Sequence, residues 1–117
     1  MKRDINLIKE ILIEIEESGA PKESLDVEIQ GRSPEIVSYH IMLMKQAGLV
    51  EAEDVSGSNS FGWIPISLTW QGHEFLDAIR NDTVWEKLKA KLKEQGGNIP
   101  FHVVKELAAV FSKDLLT

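Results

Sequence analysis

The chain has 117 residues, 43% hydrophobic and 27% charged, which is enough for about one domain with an ordinary core. It contains no cysteine, which excludes disulfides, thiolate catalysis and cysteine-ligated zinc. Its net charge of −6 argues against tight general DNA binding by a single copy, because duplex affinity usually begins with bases that neutralise phosphates. No run reaches the roughly 20 apolar residues of a transmembrane helix, and the N-terminal stretch is too acidic for a signal peptide, so we expect a soluble cytoplasmic protein.

The first predicted element is an amphipathic helix. Asp4 precedes it, and its carboxylate can accept hydrogen bonds from the free amides of the first turn. Apolar residues then recur at spacings of three and four along one side: Ile5, Ile8, Ile11, Leu12 and Ile15. Gly19 and Pro21 predict its end, because Gly permits a left-handed cap and Pro cannot continue the helix.

The segment between Lys22 and Arg32 predicts a strand. Its apolar residues Leu25, Val27 and Ile29 alternate with polar ones, which is the pattern of a strand with one buried face. Either this segment is a helix reduced to a turn, or it is a strand. We favour a strand that pairs with the edge of a later hairpin.

A central helix has the clearest start and stop signals in the sequence. Ser33 can cap it, Pro34 suits its first position, and Glu35 complements the positive end of the helix dipole. Gly48 is expected to end it. One side carries apolar residues together with a histidine: Ile36 or Val37, His40, Ile41, Met44 and Ala47. That stripe predicts which side of the helix is buried.

A pair of strands joined by a turn-rich loop follows the central helix and predicts a β-hairpin. We expect the strands at 49–55 and 64–68, because Gly57, Asn59 and Gly62 mark the loop between them. The loop carries Phe61 and Trp63 and no Lys or Arg. Either these rings fold back onto the core, which we favour because aromatic side chains mostly contribute buried area, or they protrude and anchor a partner.

Helices account for the remainder of the chain. The first begins at Trp70, and its apolar side consists of Trp70, Phe75, Leu76 and Ile79. Thr83 and Glu86 predict a capping box for the next helix, which carries Lys87, Lys89, Lys91 and Lys93. We interpret these lysines mainly as a solvated face, and they are also the best local cluster for a phosphate contact. A last apolar helix follows Pro100.

The order of these elements predicts an α+β, mainly helical protein with a winged-helix-like domain. That domain contains a helix, an edge strand, a recognition-like helix and a β-hairpin wing, and C-terminal helices follow it. We expect residues 1–81 to form the winged-helix-like core with its closing helix. Residues 82–117 then form a helical extension that packs on the core or on a second subunit, so we expect a homodimer.

The predicted framework carries candidate contacts of two kinds. Side chains that could reach DNA lie on the outer side of the central helix and in the lysine run: Ser38, Tyr39, Lys45, Gln46, Lys87 and Lys91. Side chains better suited to a protein interface are Tyr39, Met42, Phe61 and Trp63. Residues 32–69 carry two bases against four acids, so the region that would contact DNA is itself acidic.

Catalysis has little support in the sequence. His73 and Asp77 are four residues apart and project from one helical face, but the zinc-protease pattern needs a second His where Asp77 stands. The sequence shows no readable Ser, His and acid arrangement, no phosphate loop and no dinucleotide fingerprint. We therefore expect no enzyme activity, no bound metal and no cofactor.

Three stretches together resemble a family of uncharacterised proteins from bacteria and their phages, one of the domains of unknown function. They are the opening Met-Lys-Arg-Asp, the Tyr39–His40 pair followed by Ala-Gly-Leu at 47–49, and the run Thr-Trp-x-Gly-His-Glu-Phe-Leu at 69–76. The resemblance covers nearly the whole chain. It implies a winged-helix-like core and a frequent phage or prophage setting, and it brings no catalytic residue with it.

Two functional hypotheses follow. The first is a non-enzymatic winged-helix regulator of phage or prophage type that binds DNA as a dimer and controls transcription. Its main support is fold analogy, and a fold alone does not establish a function. The alternative is a winged-helix adaptor that binds a protein partner and not DNA, which agrees better with the acidic charge.

Overall fold

The structure is a computed structural model that describes residues 2–18, 27–97 and 99–116. The elements in these ranges are α1 (Ile5–Glu17), α2 (Pro34–Gln46), β1 (Val50–Asp54), β2 (Trp63–Leu68), α3 (Trp70–Ile79), α4 (Asp82–Glu94) and α5 (Phe101–Asp114). They confirm the predicted α+β, mainly helical class. None of the helices in the described ranges is long and apolar enough to cross a membrane.

The contacts of the chain divide it into two compact units, Met1–His73 and Glu74–Thr117. The first unit contains α1, α2, the hairpin and the start of α3, and the second contains the end of α3 with α4 and α5. The predicted division of the chain after residue 81 stays a prediction.

Helix α1 begins as its sequence predicts. The Asp4 carboxylate accepts hydrogen bonds from the backbone amides of Asn6 and Leu7, at 3.0 and 3.3 Å, which satisfies two amides that the helix leaves free. The buried side of the helix consists of Leu7, Ile8, Ile11, Leu12 and Ile15. Its predicted end at Gly19 and Pro21 lies outside the described residues.

A polar joint ties the start of α1 to α2. The backbone amide of Asp4 donates to Nε2 of His40 at 2.9 Å, and Nδ1 of the same ring lies 2.8 Å from the carbonyl oxygen of Ile36. Because Nε2 accepts a hydrogen bond, Nδ1 carries the proton and donates, which is the arrangement of a neutral imidazole. His40 is only 2% exposed, so both bonds form away from water. Arg32 completes this Asp4 joint by donating to Asp4 Oδ2 at 2.7 Å.

Helix α2 starts and stops at the predicted residues. Ser33 caps it by accepting a hydrogen bond from the amide of Ile36 at 3.2 Å, and Pro34 is its first residue. Gly48 follows the last turn with a φ of 79°, a conformation that favours glycine. The amide of Leu49 then donates to the carbonyl of Met44 at 2.9 Å, which closes a Schellman motif and directs the chain into the hairpin.

A second joint fixes the start of α3 against the start of the hairpin. The amide of Thr69 donates to the carbonyl of Leu49 at 3.0 Å, and the Thr69 hydroxyl accepts from the amide of Gly72 at 3.0 Å. A Cβ on Gly72 would lie 1.9 Å from the Leu49 carbonyl oxygen, so this position has no room for a side chain. We call Leu49, Thr69 and Gly72 the Gly72 joint.

The hairpin pairs β1 with β2 in antiparallel register, with Val50 opposite Leu68 and Asp54 opposite Trp63. The register of the ladder shifts between Glu51 and Ala52, where Ile66 is an extra residue in β2. Helix α2 contacts both strands, and α1 contacts α2 and β2. Two packed helices followed by a hairpin that lies against them form a winged-helix-like arrangement, which confirms the predicted fold class.

The predicted edge strand is wrong in the part of it that the structure describes. Residues 22–26 lie outside the described residues, and Val27 to Ile29 have no ladder partner. The chain turns directly after them, where the amide of Arg32 donates to the carbonyl of Ile29 at 3.1 Å and Gly31 has a φ of 81°. Of the alternating apolar residues that the structure describes, Ile29 is 9% exposed and Val27 is half-buried, and both precede this turn.

Two details of the later helices also differ from prediction. Asn81 caps α4 by accepting from the amides of Thr83 and Val84, at 2.9 and 3.1 Å, so the capping box at Thr83 and Glu86 is wrong because the helix begins before Thr83. Trp70 is 79% exposed, whereas Phe75, Leu76 and Ile79 are buried. Trp70 precedes Ile79 by nine residues, about two and a half turns, and so lies on the opposite side of α3.

The second unit has its own apolar packing. Helix α4 packs against α5, and its buried residues are Val84, Trp85 and Leu88. The rings of Phe75 and Phe101 meet edge to face, with centroids 5.4 Å apart. These contacts give the C-terminal helices a core that does not depend on a hairpin.

Candidate functional site

Helix α2 presents an outer arc away from its buried side. Because Val37, His40, Ile41 and Met44 are buried, helical geometry places Glu35, Tyr39, Met42 and Gln46 on the opposite side at spacings of four, three and four. Glu35 and Gln46 are exposed, while Tyr39 and Met42 are half-buried. The outer arc therefore begins with a carboxylate and has an aromatic ring and a thioether at its centre.

A groove lies between another side of α2 and the hairpin. It has a volume of about 130 Å³. It is lined by Val27, Pro34, Val37, Ser38, Ile41, Val55, Gly62, Trp63, Ile64 and Pro65. Most of the lining residues have apolar side chains, but polar atoms make up about half of the exposed surface of the groove, and Ser38 supplies the one side-chain hydroxyl. We call the outer arc, the groove and the hairpin together the α2–hairpin face.

The two aromatic residues of the hairpin have different environments. Trp63 is half-buried and lines the groove, so its ring is part of the packing between the hairpin and α2. Phe61 is 42% exposed at the loop. The sequence had left open whether both rings fold back or protrude, and the structure separates them.

Hydrogen bonds fix the hairpin loop. The amide of Ser56 donates to Asp54 Oδ1 at 2.9 Å, and the amide of Gly62 donates to the Ser56 hydroxyl at 3.0 Å. The Ser56 hydroxyl and amide both hydrogen-bond the Asp54 carboxylate, which holds the pKa of that carboxyl below its ordinary value. Asp54 is therefore a fixed negative charge at the end of β1.

The α2–hairpin face is acidic. Residues 34–69 contain the four acids Glu35, Glu51, Glu53 and Asp54 and the single base Lys45. Lys45 Nζ lies 3.9 Å from Glu51 Oε2, and both side chains are largely exposed, so the pair is a weak surface ion pair. The one cation of the region thus has a carboxylate beside it.

The α2 side chains predicted to contact DNA do not form one cluster. Ser38 lines the groove, Tyr39 lies on the outer arc, and Lys45 lies in the last turn of α2. In helix-turn-helix proteins, the first residues of the recognition helix contact the base edges. Here that position holds Glu35, whose charge repels phosphate.

The lysines of α4 belong to the second unit. Lys87 and Lys93 are exposed. Lys89 pairs with Glu86 at 3.2 Å and lies 5.5 Å from the centroid of the Trp85 ring, and Lys91 lies 3.8 Å from a carboxylate oxygen of Glu94. Acids of the same helix therefore offset part of the positive charge that the sequence shows there.

Histidine chemistry offers little support for a catalytic or metal site. Nδ1 of His73 lies 4.0 Å from Glu16 Oε2, an acid that the sequence did not associate with it. Within residues 2–18, 27–97 and 99–116, no three His, Asp or Glu side chains are grouped so that they could hold a metal ion. His40 uses both ring nitrogens in the Asp4 joint.

The Asp4 joint was not predicted as a unit. The sequence identified Asp4 as a cap and placed His40 on the buried side of α2, but it gave no indication that the two residues meet. A histidine within an otherwise apolar stripe was the available signal, because a buried polar group needs hydrogen-bond partners. The sequence gave no such signal for Arg32, because this residue lies in a turn and its hydrogen-bond partner, Asp4, is 28 residues away.

Fold and surface together define a winged-helix-like α+β protein with an acidic α2–hairpin face that carries a groove and partly exposed aromatic groups. The chain belongs to the family described as Hypothetical protein (DUF2513), whose model matches residues 2–98. It is also 41% identical over 117 residues to an uncharacterized protein of Haemophilus influenzae strain Rd, a match that covers 99% of each chain. No solved structure matches this chain significantly. The predicted membership of a family of unknown function is thus confirmed.

Proposed function

We propose that this protein is a non-enzymatic winged-helix adaptor that binds another protein through its α2–hairpin face. The observation that carries the proposal is the composition of that face: Tyr39, Met42 and Phe61 are accessible, and acids outnumber bases by four to one over residues 34–69. Aromatic and methionine side chains are enriched at protein interfaces. The charge balance makes the same surface unfavourable for a nucleic-acid backbone.

Accessibility also favours a protein partner. Tyr39 and Met42 are half-buried, so their rotamers are already restricted. These two side chains would therefore lose less conformational entropy when a partner covers them than fully exposed side chains would. The rings of Tyr39 and His40 meet nearly at right angles, with centroids 5.8 Å apart, and this contact helps to orient the Tyr39 ring. Preorganised aromatic groups of this kind are typical anchor residues.

DNA binding by a dimer is a second candidate, and the lysines of α4 favour it. Lys87 and Lys93 are exposed, and two copies of the chain would double the number of cations available to a duplex. Lys45 and Gln46 would then supply contacts from the last turn of α2. The dimer itself remains part of this proposal.

The test begins with capture of partners by the full-length chain from the cells that express it, followed by reconstitution with the purified partner. Tyr39→Ala is expected to weaken the reconstituted binding at least about tenfold, because anchor residues of an interface each contribute about 2 kcal/mol or more. Val110→Ala is the control, since Val110 is an exposed apolar residue of α5, 51% accessible. Titration calorimetry measures both affinities, and circular dichroism verifies that both variants are folded.

Electrophoretic mobility on random duplex DNA at low salt separates the two candidates. The adaptor proposal predicts no shift of the duplex at protein concentrations that saturate the partner. A shift that Lys45→Glu and Lys87→Glu both remove, together with equal partner affinity for Tyr39→Ala and wild type, would overturn the adaptor proposal in favour of DNA binding.

A further inference from the structure

We infer that α5 pairs in antiparallel orientation with α5 of a second copy of the chain and so forms the interface of a homodimer. Three observations carry the inference: exposed apolar side chains near the end of the chain, an apolar stripe along α5, and two opposite charges beside that stripe. The inference does not rest on the adaptor function, because the α2–hairpin face belongs to the first compact unit and α5 to the second.

Exposed apolar side chains are concentrated near the end of the chain. Of the six large apolar side chains that are exposed in the described ranges, three lie within residues 110–116: Val110, Leu115 and Leu116, which are 51%, 44% and 87% exposed. Single exposed apolar residues are common on soluble proteins, whereas a group of them on one short segment indicates an interaction surface. The C-terminal helix is therefore a candidate for contact with another molecule.

An apolar stripe runs along α5 beside its buried side. Val104 and Ala108 are buried, while Val103 and Leu107 are half-buried and Val110 is exposed. Spacings of four and three place Val103, Leu107 and Val110 on one line along the helix, which is the pattern of a helix that packs lengthwise against another helix. We call these three residues the α5 stripe. The burial values show that the chain covers it only in part.

Two opposite charges flank the α5 stripe on one side. Glu106 and Lys113 are both exposed, and because they are seven residues apart they lie on the same side of the helix. They are separated by about 10.5 Å along the helix axis, which is too far for an ion pair within α5. No Lys or Arg stands three or four residues from Glu106, and no Asp or Glu stands three or four residues from Lys113. Neither charge therefore has an opposite charge at the spacing that stabilises a helix.

An antiparallel pair of α5 helices brings these charges together. A two-fold axis makes contacts reciprocal, so when Glu106 lies opposite Lys113 of the second copy, Lys113 also lies opposite Glu106 of that copy. The same alignment places Leu107 opposite Val110 of the second copy, so the apolar contacts and the two ion pairs agree on one register. In a parallel pair each residue would lie level with the same residue of the second copy, and Glu106 would stay about two turns from Lys113.

The charge distribution also favours a second copy as the occupant. The whole chain has a net charge of −6, but residues 74–117 carry seven bases and seven acids, so the second compact unit is neutral. Two neutral surfaces can approach without the repulsion that an acidic surface would cause. A strongly charged segment of another protein would leave either Glu106 or Lys113 facing a like charge, whereas a second α5 pairs both.

Sedimentation equilibrium of the full-length chain tests the inference. The α5 stripe is a small contact, and small interfaces give weak association that depends on concentration. The dimer fraction of wild type is expected to rise between about 10 μM and about 1 mM. A wild-type chain that stays monomeric over this whole range would overturn the inference.

Charge-reversal variants locate the interface and determine its orientation. In the antiparallel pair, Glu106→Lys places Lys beside Lys and Lys113→Glu places Glu beside Glu. Each variant alone is therefore expected to dimerise at least about tenfold more weakly than wild type, because two attractions become two repulsions. An equimolar mixture of the two variants is expected to recover dimerisation, since two bases on one chain then face two acids on the other. Lys87→Glu, which makes the same change in net charge as Lys113→Glu on an exposed residue of α4, is the control and is expected to dimerise as wild type does.

Val110→Glu tests the apolar contact. It places a charge in the α5 stripe at an exposed position and is expected to remove the dimer, and circular dichroism verifies that all these variants are folded. Dimerisation equal to wild type in Glu106→Lys or in Val110→Glu would overturn the assignment of the interface to α5. A mixture that dimerises no better than its separate variants would overturn the antiparallel register. The adaptor function is judged separately, because calorimetry measures the partner affinity per copy of the chain.

Discussion

Two regions of the first compact unit differ in how strictly the fold determines their residues. In the Asp4 joint and the Gly72 joint, side chains and backbone groups meet at hydrogen-bond distance, and one position has no room for a Cβ. The α2–hairpin face instead has a groove, partly exposed rings and exposed acids. The residues of the two joints are therefore those that the stability of the fold requires, whereas the residues of the α2–hairpin face give information about function.

This difference explains why the fold alone is a poor guide to the target. The joints build the helix and hairpin of a winged-helix-like unit, and that arrangement by itself suggests DNA. The face on the same helix begins with Glu35 and carries Tyr39 and Met42, which suit a protein. Function has to be argued from the surface that the joints hold in position.

The largest effect is expected at the Gly72 joint. Gly72→Ala places a Cβ 1.9 Å from the backbone carbonyl oxygen of Leu49, so α3 must shift and the hydrogen bonds of Thr69 are strained. We expect the free energy of unfolding to fall by about 3 kcal/mol, at the upper end of overpacking effects. Urea unfolding followed by circular dichroism measures the loss.

Gly62→Ala is the matched control for that prediction. Its added Cβ would lie 3.4 Å from a methyl group of Val55, which is an ordinary contact with a side chain that can move. We expect a change within about 0.5 kcal/mol. Equal unfolding midpoints for Gly72→Ala and wild type would contradict this prediction, because the Gly72 joint would then accommodate a Cβ without strain.

The next largest effect is expected at the Asp4 joint. His40→Ala removes a ring that is 2% exposed and leaves the amide of Asp4 without its acceptor. We expect a loss of about 2 to 3 kcal/mol from the cavity and the unsatisfied amide together. Tyr39→Ala, one residue along the helix, is the control and is expected to cost about 1 kcal/mol or less, because Tyr39 lies on the outer arc and is half-buried.

Thermal or urea unfolding of these two neighbours measures the contrast between the two sides of α2. A larger loss for Tyr39→Ala than for His40→Ala would show that the outer arc is part of the core. That outcome would also weaken the assignment of Tyr39 to an interface.

The sequence predicted those parts of the fold that depend on local signals. The cap at Asp4, the start of α2 at Pro34 and its end at Gly48 all follow from the chemistry of one or two residues, and the structure confirms them. The alternation around Ile29 was misleading over residues 27–29, because a buried side chain next to a turn can have the same short pattern as a strand.

Contacts between residues distant in sequence could not be predicted in the same way. The bond between Arg32 and Asp4 depends on how α1 packs on α2, and no local pattern encodes that packing. The groove is a similar case. Trp63 and Ser38 lie on different elements, and only the register of the hairpin against α2 brings both to one cavity. The sequence named both residues as candidates without indicating that they share a site.

The smallest predicted effect is a pH dependence of the Asp4 joint. Burial raises the pKa of the Asp4 carboxyl, but the hydrogen bond from Arg32, with those from the amides of Leu7 and Asn6, outweighs burial, so the pKa lies below its ordinary value. A carboxyl whose pKa is lower in the folded state contributes stability above its unfolded pKa and loses that contribution as the pH falls through the folded pKa. Wild type is therefore expected to lose this contribution below about pH 4.

Asp4→Asn isolates that contribution, because Asn caps a helix about as well as Asp but has no charge to share with Arg32. We expect wild type to be more stable than Asp4→Asn at neutral pH by no more than about 1 kcal/mol, since the ion pair is partly exposed. The gap is expected to close in acid, where the Asp4 carboxyl is protonated. Urea unfolding at neutral and acidic pH measures it, with Arg32→Gln as a second variant that removes the same charge pair. A gap that stays constant or widens in acid would show that the Asp4 joint is held by the cap and by His40, and that the charge contributes nothing.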